Sequence, residues 1–288
     1  MKKNVVVLGD SFIFGTGLAD VEQHSATTPG HLAPPSVYTW VSLLAKDAGE
    51  AADIVNLSMP GIDNLSLVSG LCNYLDNNPV RPDVIVFNTC PPDRFIMQAS
   101  MQWDQIEYNE YKKNYRPGRF QTELNVPKNI TTDTPLLTKM IDLGNATKSI
   151  KWKQFFNGFI CLLGSIEQSD TVLSDTHKKT LIDFRNEIYH PALGIQSSMS
   201  AMMSTWLIAK TINAEFYWMA TNLAVENMSL LPTEVLTESK SRRFPHVSTL
   251  AQTAKYRAQC GHTNEAGHEY YYNDVIKPLF TKLGVIHA

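Results

Sequence analysis

The feature that most constrains the fold is the run Val5-Val6-Val7-Leu8, closed at once by Gly9-Asp10-Ser11. Four consecutive apolar residues, three of them β-branched, leave no polar side to face water. The run therefore predicts a strand buried on both sides, as in a parallel sheet covered by helices. Val84 to Phe87 has the same character, Asp53 to Leu57 predicts a second short strand, and Ala214 to Ala220 a fourth. Between the first two, Val37, Trp40, Val41 and Leu44 fall at i, i+3, i+4 and i+7, which predicts a helix over 37–46 that ends near Gly49. Ile62 to Leu75 predicts a second helix after the break at Pro60-Gly61. Strand and helix in alternation predict an α/β protein, a three-layer α/β/α sandwich around a short parallel sheet.

The second half of the chain is less regular. Met199, Met202, Met203 and Trp206 repeat at helical spacing from Ser198 to Ile212, a stripe read as core packing. Asn264 to Leu283 predicts a closing helix, bent or broken at Pro278. From Phe95 to Gly194 no period is sustained, although helical patches are expected at Lys153 to Leu163 and Lys178 to Tyr189. The chain thus divides into a core of residues 1–95 and 196–288 and an insertion or cap subdomain of residues 96–195, largely helical or irregular. Residues 112–153 hold nine Lys/Arg against three Asp/Glu, a local +6 in a chain of formal net charge -3. Tyr115, Phe120 and Trp152 are interleaved with those charges. A solvated face of the insertion is the simpler reading, and a patch for an anionic polymer the sharper one.

Composition narrows the class. Charged residues make up 18% of the chain, below the typical share of about 25%, which argues for a folded domain. The overall charge gives no reason to expect a nucleic-acid or membrane partner. Cys72, Cys90, Cys161 and Cys260 lie far apart with no Cys-x-x-Cys pair, so buried, reduced, structural thiols are expected. Met1-Lys2-Lys3 precedes an apolar run too short for a signal peptide, which needs about 7–15 such residues. No stretch approaches the roughly 18 apolar residues of a membrane span. A cytoplasmic location is expected, with assembly into a larger particle left open. No metal or organic cofactor is expected, and the oligomeric state is not legible.

Ser11 follows the first strand directly, and in open parallel sheets ligands collect at the carboxyl ends of strands. A serine there is a nucleophile if a base reaches it, and otherwise a helix cap. Other readings of the glycines fail. Gly15-Thr16-Gly17 meets Asp20 where a dinucleotide fingerprint needs glycine, and no phosphate loop, Gly-x-Ser-x-Gly elbow or His-Glu-x-x-His occurs. Three further polar segments sit at the ends of elements. Asn56 to Asn64 follows the second strand, and its Gly61 permits a tight turn whose N–H can donate to an oxyanion. Phe87-Asn88-Thr89-Cys90-Pro91-Pro92-Asp93-Arg94 follows the third strand. Gly261-His262-Thr263-Asn264-Glu265-Ala266-Gly267-His268 precedes the last helix.

In this order the segments resemble the GDSL/SGNH hydrolase family. Gly9-Asp10-Ser11 is similar to its first block, Asn56 to Asn64 to its second, and His262 to His268 to its last. The resemblance covers residues 1–95 and 196–288. It implies an SGNH-hydrolase, flavodoxin-like fold and a serine esterase with Ser11 as nucleophile, His262 as general base and Gly61 in the oxyanion hole. The family's third block is Gly-x-Asn-Asp; here Pro92 stands where the Asn would, and Asn88, with Thr89 as a further candidate, substitutes. The family's acid precedes its histidine by two or three residues, where this chain has Cys260 and Gln259. A Ser–His dyad follows, His262 being oriented by Gln259 or a backbone carbonyl unless an acid arrives from elsewhere in the chain. The implied substrates are small acyl esters, O-acetyl groups on carbohydrate among them. An acyltransferase on the same logic is a further reading. The alternative from another class is a non-catalytic SGNH-fold protein that binds a glycan or a protein partner.

Overall fold

Lys3–Leu8 forms the first strand, β1, and every residue from Asn4 to Leu8 is buried. The computed structural model describes residues 2–21, 35–58, 62–91, 94–97, 140–142, 157–162, 183, 187, 191–220, 235, 237 and 242–286. Among them the later strands are β2 (Ala52–Asn56), β3 (Val84–Asn88), β4 (Arg94–Met97), β5 (Met140–Asp142), β6 (Asn157–Leu162), β7 (Glu215–Ala220) and β8 (Arg243–Pro245). The main sheet has the order β2-β1-β3-β7-β8, and all four pairings in it are parallel. The expected α/β architecture is present.

Alternation along each strand divides the core into two layers, as a two-residue side-chain period requires. Val6 and Leu8 of β1, Ile85 and Phe87 of β3, and Phe216 and Trp218 of β7 face one side. They pack there with Leu67 and Leu71 of helix Asn64–Asn77 and with Met199, Met202 and Ala209 of helix Pro191–Thr211. Val5, Val7, Val84, Val86, Tyr217 and Met219 face the other side. Trp40, Val41 and Leu44 of helix Trp40–Ala48 cover them, together with Tyr271, Tyr272, Ile276 and Phe280 from the chain's closing segment. Burying one such side chain fully stabilises the fold by about 1.5–3 kcal/mol. Among the described residues the α-helices, in chain order, are α1 (Ser11–Phe14), α2 (Trp40–Ala48), α3 (Asn64–Asn77), α4 (Pro191–Thr211), α5 (Glu265–Tyr271) and α6 (Lys277–Lys282).

Several expectations are corrected. Helix α2 begins at Trp40 because the Thr39 hydroxyl accepts the Ser42 N–H at 3.3 Å. Val37 therefore lies outside the helix and is exposed. Capping chemistry, not apolar spacing, sets that start. Helix α4 begins at Pro191, ahead of the expected Ser198; proline is well suited to a first helical position. The closing helix is interrupted before its proline, by a π-helical turn over Tyr272–Ile276. Pro278 then sits in the first turn of α6, where its missing N–H is not needed. The helical patch expected over Lys153 to Leu163 is instead strand β6, paired antiparallel with both β4 and β5. Gly158 weakens a helix there, and Phe159-Ile160-Cys161-Leu162 is a short apolar run that carries no helical period.

The strand β8 had no forecast at all. The basic segment 112–153 lies outside the described residues except for Met140–Asp142, and the patch at 178–189 does so except for residues 183 and 187. No helix among the described residues is long and apolar enough to cross a membrane.

Candidate active site

The strand order reverses direction between β1 and β3, because β2 lies on one side of β1 and every later strand of the sheet on the other. Such a switch point opens a crevice outside the carboxyl ends of the two strands. The residues that leave β1 and β3 there are Gly9-Asp10-Ser11 and Asn88-Thr89-Cys90.

A one-turn helix fixes Ser11. Asp10 caps it, with Oδ1 accepting the Phe12 N–H at 3.0 Å. Gly15 ends it at φ +89°, in the left-handed region, and donates its N–H to the Ser11 carbonyl at 3.0 Å. Ser11 is the first helical residue and is buried. At that position its N–H has no intrahelical acceptor. A hydroxyl and a backbone N–H without an intrahelical acceptor therefore leave the same residue at the mouth of the switch point.

His262 arrives from the other end of the chain on a loop held by its own backbone. The Ala258 N–H donates to the His262 carbonyl at 2.8 Å, the Asn264 N–H donates to the Tyr256 carbonyl at 2.8 Å, and Arg257 bridges Thr263. Asn264 caps α5, its Oδ1 accepting the Gly267 N–H at 3.0 Å. This brings His262 Nε2 to 2.9 Å from Ser11 Oγ, across 251 residues of sequence. The Phe12 ring packs against the imidazole with centroids 4.5 Å apart. The Cys260 sulfur lies 3.4 Å from Nδ1. Cys260 is exposed, which corrects the expectation of a buried thiol; Cys90 is buried and Cys72 half-buried. Gln259 is exposed.

The remaining candidates are placed differently. Asn88 is fully buried and donates Nδ2 to the Leu8 carbonyl at 2.7 Å, while its Oδ1 has no partner. Thr89 is drawn to β7, its N–H donating to the Met219 carbonyl at 3.0 Å. Gly61 lies outside the described residues. Among the described residues no cluster of three or more His, Cys, Asp or Glu is arranged to hold a metal ion.

Four further buried polar side chains are His246, Asp10, Asn64 and His268. His246 and Asp10 are each 1% exposed, with His246 Nε2 4.0 Å from Asp10 Oδ1. His246 Nδ1 accepts the Ser248 N–H at 3.1 Å, which assigns the ring proton to Nε2, facing Asp10. Asn64 joins three elements: its Oδ1 accepts the Cys90 N–H at 2.8 Å, and its Nδ2 donates to the Cys90 carbonyl at 3.0 Å and to Ser198 Oγ at 2.9 Å. His268 is fully buried and accepts the Trp40 N–H on Nδ1 at 3.4 Å. Burial, and then the nearby His246 and His262, push it down to about 3, so it stays neutral. Asp10, Asn64 and His268 fall within the polar segments at the ends of elements, whereas His246 carries no such signal.

No protein-family model matches the chain, and no curated protein matches it. Solved structures do match. One is a carbohydrate esterase whose active site has divergent catalytic and non-catalytic binding functions, at 14% identity and a TM-score of 0.44, covering 98% of this chain and 66% of that one. Another is a lipase/acylhydrolase from Enterococcus faecalis, at 13% identity and a TM-score of 0.31, over 97% of this chain and 96% of that one. A third is a catalytic mutant of an acetylxylan esterase from Geobacillus stearothermophilus, at 11% identity and a TM-score of 0.30, over 100% and 99%. Overlap this slight carries no argument about chemistry, which rests on the site's own geometry. With its blocks in the order that brings Ser11 to His262, on a parallel α/β sheet, the chain resembles the SGNH hydrolases.

Proposed function

We propose that the protein is a serine hydrolase of small acyl esters, with Ser11 as nucleophile and His262 as general base. The observation that carries this reading is the 2.9 Å approach of His262 Nε2 to Ser11 Oγ. That distance lies within the 2.6–3.2 Å over which a base takes a hydroxyl proton directly. Ser11 Oγ attacks the ester carbonyl carbon as His262 accepts its proton. The Ser11 N–H, which has no intrahelical acceptor at the start of α1, donates to the developing oxyanion. His262 gives the proton to the departing alcohol and then takes one from a water that attacks the acyl carbon. It passes that proton to Ser11 Oγ as the Oγ–acyl bond breaks and the acid leaves. The Gly61 N–H is the second donor that the family resemblance supplies. Asn88 is committed through one N–H to the Leu8 carbonyl, so holding β1 to β3 is its first role. The narrower substrate class, O-acetyl groups on carbohydrate, follows from the same resemblance. Residues 1–95 and 196–288 form the hydrolase core in this reading, and residues 96–195 a cap.

A second reading has one observation in its favour. Among the described residues a sulfur stands at His262 Nδ1, as in a site that keeps its shape for binding and has lost most of its rate. Hydrolysis of p-nitrophenyl acetate by the wild type, Ser11→Ala and His262→Ala separates the two. Loss of turnover to background in both variants supports the hydrolase. Equal rates in the wild type and Ser11→Ala sink it.

A further inference from the structure

We propose that Cys260 is the positioning residue of His262, its sulfur accepting the Nδ1 proton and so presenting Nε2 as a base to Ser11. This rests on the hydrolase reading and deepens it. The imidazole lies between two groups: Cys260 Sγ is 3.4 Å from Nδ1, and Ser11 Oγ is 2.9 Å from Nε2. Both Cys260 and His262 belong to one closed turn, in which the Gly261 N–H donates to the Ala258 carbonyl at 3.0 Å and the Ala258 N–H to the His262 carbonyl at 2.8 Å. A second segment approaches the sulfur closely. Gly17, at φ +85°, lies so close to Sγ that a Cβ at this glycine would overlap it. The stretch from Ser11 to Gly17 therefore provides both the nucleophile and a seat for the thiol.

The tautomer decides what this contact does. If the thiol donated to Nδ1, the ring proton would sit on Nε2, and His262 could not accept the Ser11 proton. With Nδ1–H donating to sulfur, the Nε2 lone pair faces the serine hydroxyl. A thiol sulfur is a weak, neutral acceptor. It fixes the tautomer and the ring orientation without giving the imidazolium the counter-charge that a carboxylate brings. In a serine protease, an amide in place of that carboxylate holds the wrong tautomer and lowers the rate by about 10⁴. A sulfur that keeps the right tautomer retains part of that factor and leaves the rest to be gained.

Two measurements on the full chain test this. The first is the nitrogen-15 NMR of the His262 ring, which needs no turnover. The wild type should carry its proton on Nδ1, and Cys260→Ala should shift the ring toward the Nε2-protonated form. The second is kcat and KM for p-nitrophenyl acetate. Cys260→Ala should lower kcat by about tenfold at unchanged KM, and Cys260→Asp should raise it by about tenfold or more above the wild type. A purely structural role for an exposed cysteine would move neither the tautomer nor the Asp variant in these directions. A wild-type ring protonated on Nε2, a tautomer indifferent to Cys260→Ala, or an Asp variant no faster than the Ala variant overturns the proposal. If Ser11→Ala hydrolyses as fast as the wild type, the ester-hydrolase reading fails by itself, and the tautomer measurement still judges Cys260.

Discussion

Asn88 laces the ends of two central strands together, its Nδ2 donating to the Leu8 carbonyl at 2.7 Å with both residues fully buried. Leu8 is the last residue of β1 and Asn88 the last of β3, so the bond sits at the switch point just before the chain turns toward Ser11. Asn88→Ala leaves the Leu8 carbonyl without that donor in a place water does not reach, which costs about 1–3 kcal/mol. Asn88→Asp sets a carboxylate against the same carbonyl and should destabilise further. Thermal melts should rank wild type above Ala and Ala above Asp. A melt of Asn88→Ala that coincides with the wild type would refute the tie.

How much of this was legible beforehand follows from how local each signal is. The strands Val5 to Leu8 and Val84 to Phe87 announced themselves because residues buried on both faces are apolar without a gap. Ser11 and His262 were legible because each lies in a short motif at the end of an element. Arg243–Pro245 of β8 was not, since three residues that pair only along β7 carry no period of their own. Asn157–Leu162 read as helix because its partners in the antiparallel sheet are distant in sequence, and strand preference depends on such neighbours. Cys260 stood where an acid was sought and was set aside for lacking charge. Its contact with His262 depends on the curvature of one turn, which residue type does not encode.

Gly15 sets the direction in which α1 ends. At φ +89° a side chain is strained by its backbone alone, and a Cβ would overlap Ser36 and Thr39, the residues that lead into α2. Gly15→Ala should therefore destabilise the protein by more than the roughly 1 kcal/mol at which ordinary glycine-to-alanine changes act, and in the unfavourable sense. Because Gly15 donates to the Ser11 carbonyl, the same variant should also lose ester hydrolysis at temperatures where it remains folded. Urea titration and kcat at 20 °C below the melt check the two effects; a variant as stable and as active as the wild type contradicts both.

The Asn64 side chain is fully engaged, with both of its functions bonded to Cys90 and a third bond to Ser198. Fully satisfied buried networks are stiff, and removing one member strands the rest. Asn64→Ala removes its bonds to the Cys90 N–H, the Cys90 carbonyl and Ser198, at a cost of roughly 3 kcal/mol. Asn64→Asp keeps the acceptor for Cys90 N–H but turns a carboxylate toward the Cys90 carbonyl, so it should not rescue. A double-mutant cycle with Ser198→Ala measures the coupling: a positive interaction energy is expected, and strict additivity would mean that the bond to Ser198 contributes nothing.

His268 makes stability depend on pH in a defined window. In the folded protein, burial first and then the charges of His246 and His262 push it down to about 3, whereas an unfolded chain protonates histidine near its ordinary value of about 6.5. Between those values the unfolded state binds a proton that the folded state does not. The contribution is therefore complete above about pH 6.5 and is lost as pH falls toward 3, with a slope approaching about 1.4 kcal/mol per pH unit. His268→Asn keeps an acceptor near the Trp40 N–H and removes the titration. It should be less stable than the wild type at pH 7.5, because the ring leaves a gap, yet its unfolding free energy should fall less steeply between pH 6.5 and 4.5. Denaturant melts of both proteins across that interval decide the matter, and parallel curves would show that the proton is taken up elsewhere.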